Sequence, residues 1–92
     1  MPPAQDPPWT STEEVCAAVN ASRKTILRWA KLGVLPAPTM VYGRGRHARW
    51  PAYAPEQARW VDHKLEAGHT FEEIRAALAR GEFRPHSVGL LP

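Results

Sequence analysis

The sequence predicts a mostly α domain of about four helices with one two-stranded β-hairpin, and three observations lead to that class. Four stretches carry apolar residues at three- and four-residue spacing behind a capping or proline start. Between the second and third of them lie two short strand-compatible runs separated by glycines. The 92 residues are 43% hydrophobic and 23% charged, which gives an ordinary globular chain with room for one small core.

Residues 1–8 contain four prolines and no hydrophobic period, so they read as an extended lead-in outside the fold. Ser11 with Glu14 has the form of a capping box, and Val15, Ala18 and Val19 follow at helical spacing. The first helix is therefore expected over residues 12–19, burying Cys16. Asn20 stands where a tight turn needs a positive φ, which Asn tolerates. Ser22 is a good N-cap, and no breaker intervenes before Gly33, so a second helix is expected over residues 22–32. At 100° per residue Ser22, Ile26, Trp29 and Ala30 share one side, with Trp29 a core residue. Lys24, Leu27, Arg28 and Lys31 form a stripe opposite them.

Pro36 and Pro38 forbid continuation of that helix and enforce an extended path. Residues 39–42 and 47–50 are strand-compatible, and Gly43-Arg44-Gly45-Arg46 between them supplies the reversal of a hairpin. Pro51 and Pro55 bracket the start of a third helix, with Ala58, Val61 and Leu65 as its buried stripe and Gly68 as its end. Trp60 lies beside that stripe and is expected to cover the root of the hairpin. Thr70 and Glu73 make a second capping box, followed by Ile74, Ala77 and Leu78, and Gly81 stops a fourth helix. The expected domain spans residues 9–83, leaving 84–92 as a loose tail.

The net charge is only +3, but it is unevenly distributed. Residues 15–55 hold no acid, while Arg23, Lys24, Arg28, Lys31, Arg44, Arg46 and Arg49 supply seven positive charges. The rest of the chain sets nine acids against five bases. A basic middle between near-neutral or acidic ends is the footprint of a face that meets a polyanion, the plainer alternative being a solvated basic surface.

Other function classes find little support. No apolar run approaches the roughly 20 residues that cross a bilayer, and the first eight residues lack the basic-then-apolar form of a signal peptide, so no membrane association and a cytoplasmic location are expected. The lone Cys16 forms no internal disulfide, in keeping with a reducing compartment. His47, His63, His69 and His86 with Cys16 have no metal-ligand spacing, and Gly43-x-Gly45 lacks the context of a dinucleotide fingerprint. Neither an enzyme nor a cofactor or metal site is expected.

The order helix, turn, helix, Gly-x-Leu-Pro, basic hairpin, helix, helix resembles the DNA-binding domain of MerR-family regulators over residues 9–83. The residues that carry the resemblance begin with Ser11, Glu14-Val15, Ser22, Thr25-Ile26, Trp29 and Gly33-Val34-Leu35-Pro36-Ala37-Pro38. They continue through Gly43-Arg44-Gly45-Arg46, Ala48-Arg49-Trp50-Pro51 and Ala67-Gly68-His69-Thr70-Phe71-Glu72-Glu73-Ile74. Lys24-Thr25 and Arg28-Trp29-Ala30-Lys31 resemble most a subgroup of short proteins holding a lone domain of this kind, among them small developmental regulators and phage excisionases. Asn20-Ala21 stands where the family usually has Gly-Val, and Leu27 where it often has Arg. The chain ends soon after the fourth helix, so the long dimerisation helix and effector segment of full MerR regulators are expected to be absent.

The resemblance implies a winged helix-turn-helix that binds double-stranded DNA, most simply as a nucleoid-associated transcription regulator. Residues 22–32 would form the recognition helix in the major groove, and the hairpin 39–50 the wing on backbone or minor groove. Lys24 and Arg28 then read bases or brace phosphate, Leu27 meets a thymine methyl, and Lys31 extends the stripe. Thr25 and the amides near Arg23 meet phosphate at the helix start. Arg44, Arg46, His47 and Arg49 carry the wing contacts. With one small module, further copies on adjacent sites or a protein partner are expected to add affinity. Two alternatives stay open: a protein-interaction module on the same scaffold, and a phage-type excision or packaging factor.

Overall fold

A computed structural model describes residues 9–43 and 45–85, without the side chains of residues 42–46. The expected lead-in, Arg44, the side chain of Arg46 and residues 86–92 of the expected tail lie outside the described residues.

The elements in chain order are β1 (Trp9–Thr10), α1 (Thr12–Val19), α2 (Arg23–Lys31), β2 (Thr39–Gly43), β3 (Gly45–Pro51), α3 (Ala54–Glu66) and α4 (Phe71–Ala79). The described residues are thus mostly helical, with four helices and one small antiparallel sheet in the order β1-β3-β2. The sheet corrects the expected two-stranded hairpin, because β1 adds a third strand to the free edge of β3. Two residues are too few to show alternation, and their partner lies about 40 residues away, so nothing local announces the pairing. The physical gain is that an otherwise open edge of β3 finds backbone partners.

Each helix begins and ends for a local reason. Ser11 Oγ accepts from the Glu14 amide at 3.2 Å, but the Glu14 carboxylate accepts from the Thr10 hydroxyl at 2.6 Å, so the other arm of the expected box reaches back into β1. Asn20 closes α1 at φ 53°, the left-handed conformation expected at its position. Ser22 Oγ caps α2 by accepting from the Thr25 amide at 3.2 Å. At the other end Gly33 takes φ +83°, and the Val34 amide donates to the Trp29 carbonyl at 3.1 Å. Pro55 lies in the first turn of α3, where its missing N–H costs nothing. In α4 both arms of the Thr70–Glu73 box form, at 2.8 and 3.1 Å. The Thr70 amide and hydroxyl together hold the Glu73 carboxyl below its ordinary range.

One core joins these elements. Val15, Ile26, Trp29, Val34, Leu35, Trp50, Ala54, Ala58, Val61 and Ile74 form its buried cluster. α1 packs mainly on α3, α2 on α1, and α4 on α3. Trp50 is fully buried, and its indole N–H donates to Thr12 Oγ1 at 2.8 Å, tying β3 to the first residue of α1. Gln57 Nε2 donates to the Val34 carbonyl at 2.8 Å and so fixes the extended segment after α2 against α3. Arg75 Nη1 donates to the Leu32 carbonyl at 2.9 Å, satisfying an acceptor at the negative end of α2.

Two expectations need correction. Trp60 packs against Phe83, ring centroids 5.6 Å apart, rather than over the hairpin root, and the Lys64 ammonium lies 5.6 Å from the centroid of the Trp60 ring. The hairpin root is closed by Trp50 instead, whose alternating register turns it inward. Cys16 is half-buried rather than buried, because Val15 takes the inward position one residue earlier and the next side chain swings 100° away. Partial burial nevertheless pushes the Cys16 thiol up from its ordinary value, against the opposing pull of Arg23.

Candidate nucleic-acid interface

The exposed side of α2 follows from its period. With Ile26 and Trp29 committed to the core, Lys24, Leu27, Arg28 and Lys31 at i, i+3, i+4 and i+7 must face outward, and all four are exposed. Leu27 is 42% exposed, one of three large apolar side chains left in solvent among the described residues. The Gly33 turn and the two prolines bring Ala37 and Pro38 back alongside, enclosing with the stripe and Ala30 a groove of about 690 Å³. Its floor is apolar and its rim cationic. Among the described residues no carboxylate pairs with Lys24, Arg28 or Lys31. Long cationic side chains of this kind present their heads to solvent while their stems cover apolar surface.

A second group assembles where α1, α2 and the sheet meet. Register places Thr39 opposite Arg49 and Val41 opposite His47, so these four side chains share the sheet face turned away from Trp50. Trp9, opposite Pro51, joins the same face. From this face Trp9, Val41, His47 and Arg49, together with Ser11, Thr12, Glu13 and Arg23, line a cleft of about 270 Å³. Arg23, His47 and Arg49 thus converge from α2 and β3 on one opening. The two groups meet at the start of α2, where Arg23 belongs to the cleft and consecutive Lys24 to the groove.

Arg23 and Arg49 of the cleft are engaged, unlike the cations of the groove. Arg23 lies 3.8 Å from the Glu13 carboxylate, an exposed pair that solvent screens strongly. The Arg49 guanidinium sits 4.6 Å from the centroid of the Trp9 ring. Thr25 is engaged as well, its hydroxyl 3.0 Å from Ser22 Oγ and its amide bonded to the same oxygen. It is half-buried and serves the cap of α2.

Of the expected site residues with described side chains, Lys24, Leu27, Arg28 and Lys31 lie on the groove and Arg23, His47 and Arg49 on the cleft, while Thr25 lines neither and serves the cap of α2. Sequence reasoning misses Trp9 and Glu13. For Glu13 the only signal is its place in the first turn of a capped helix, which does not say that it meets Arg23. The Trp9 contact depends on a strand pairing that no local pattern reveals.

Among the described residues no group of three or more His, Cys, Asp or Glu is placed to hold a metal ion. Among them, too, no helix is long and apolar enough to cross a membrane. Comparisons with family models, curated proteins and solved structures find no match for this chain.

Proposed function

We propose that this chain binds double-stranded DNA as a winged helix-turn-helix module of the MerR type. In this reading α1 and α2 form the helix-turn-helix, α2 enters the major groove, and the β2–β3 hairpin is the wing on the neighbouring backbone or minor groove. The observation that carries the reading is the outer face of α2. Three cations without acidic partners among the described residues stand at helical spacing around an exposed leucine, on a helix whose opposite side is locked into the core. Such a face offers bidentate hydrogen bonding from Arg28, point charges from Lys24 and Lys31, and an apolar surface for a thymine methyl from Leu27. The cleft supplies a second cationic patch at the start of the same helix, where Arg23 and Arg49 are suited to phosphate and the His47 imidazole beside them offers a hydrogen bond. The simplest biological use is transcriptional regulation, with further copies on adjacent sites or a partner protein adding affinity.

One observation favours a second reading. The apolar floor formed by Leu27, Ala30, Ala37 and Pro38 also suits a hydrophobic helix of another protein. Chromatography on immobilised random duplex separates the two. Retention at low salt with elution as salt rises supports the DNA reading, and flow-through at low salt overturns it in favour of protein binding.

A further inference from the structure

The outer face of the sheet holds a contact between two residues 40 positions apart in sequence. Trp9 pairs with Pro51 in the β1–β3 ladder, so Arg49, two residues back along β3, is its diagonal neighbour on the same face. The guanidinium carbon of Arg49 lies 4.6 Å from the Trp9 ring centroid. Core packing does not account for Trp9. On this two-residue strand Thr10 takes the inward position at 7% exposure, while Trp9 remains 39% exposed. A guanidinium held over a ring keeps the N–H donors that do not face the ring available to a phosphate. Arg49 lines the same cleft as Arg23 and His47.

Building on the duplex-binding reading, we propose that Trp9 is a positioning residue: its ring holds the Arg49 guanidinium at the mouth of the cleft, with the donors that do not face the ring turned to a DNA phosphate. An arginine held in advance loses less rotamer freedom on binding than a free one, so the ring contributes to affinity without touching DNA. Removing the ring leaves the charge of Arg49 in place but frees its side chain.

The test is a double-mutant cycle on duplex affinity at several salt concentrations, with thermal melting of every variant. Trp9→Leu keeps an apolar strand residue and removes the π face, Trp9→Tyr keeps a ring, and Arg49→Gln removes the cation. If Trp9→Leu melts early, Trp9→Ile, a better strand former, takes its place. The exposed cation–π contact predicts about a two- to fivefold loss of affinity for Trp9→Leu and recovery of most of it in Trp9→Tyr. Arg49→Gln should bring the salt slope nearer zero by about 0.9, the share of one phosphate. In the Arg49→Gln background Trp9→Leu should cost nothing further. Losses that multiply in the double mutant would show that Trp9 acts independently of Arg49 and would overturn the proposal. So would an Arg49→Gln variant that binds like the wild type while Arg28→Ala is weakened, an outcome that spares the DNA reading. A wild-type chain that binds no duplex at low salt refutes both together.

Discussion

The outer face of α2 and the cleft beside the hairpin both gather cations, but one is built by a single helix and the other by three elements. Lys24, Arg28 and Lys31 owe their common direction to helical period alone, and among the described residues none has an acidic partner. Arg23, His47 and Arg49 come together only because Trp50 anchors β3 to Thr12 and because β1 completes the sheet. Two of the three are engaged there, Arg23 by Glu13 and Arg49 by Trp9. The difference separates two ways of presenting charge: side chains without a partner among the described residues, which the proposed reading sets against base edges, and held side chains, which it sets against the backbone.

The largest effect is expected from breaking the assembled region at its anchor. Trp50→Ala empties a fully buried site and leaves the Thr12 hydroxyl without its partner, which should cost about 3 to 5 kcal/mol in chemical denaturation. A loss below about 0.5 kcal/mol, the range of a surface change, would mean that the sheet is not held through this contact. Next comes Arg28→Ala on the α2 face. If Arg28 reads a base, the variant should lose about 1 to 3 kcal/mol of discrimination at one base pair, measured by competition between single-site duplex variants. Arg49→Gln should weaken all duplexes alike. Equal losses on preferred and random duplex for both variants would erase the distinction between the two regions. The smallest effect is expected from Glu13→Gln, which frees Arg23 and removes a negative charge from the cleft. Because the pair is exposed, duplex affinity should rise by only about twofold at low salt, with the gain fading as salt increases. Weaker binding in that variant would show that Glu13 positions Arg23 rather than competing for it.

What the sequence reveals follows the same division. The bounds of α1, α2 and α4, the left-handed Asn20 and the inward Ile26 and Trp29 are set by caps, breakers and periodicity, all of which act within a few residues. The α2 stripe is therefore legible from the order of residues alone. The third strand, the Trp50–Thr12 bond and the Trp9–Arg49 contact join residues 38 to 42 positions apart, and a two-residue strand carries no period. Trp60 illustrates the same limit. Its helix and its place beside the stripe are legible, but its partner Phe83 belongs to the segment after α4, whose path no pattern specifies. Charge counting has a related blind spot, since the stretch without acids in sequence has Glu13 beside it in space.

The central claim is tested most directly by duplex affinity measured across a range of salt concentrations. If about five of the seven cations of residues 15–55 neutralise phosphates, log affinity should fall against log salt with a slope of roughly −4 to −5. A slope near zero would contradict the account.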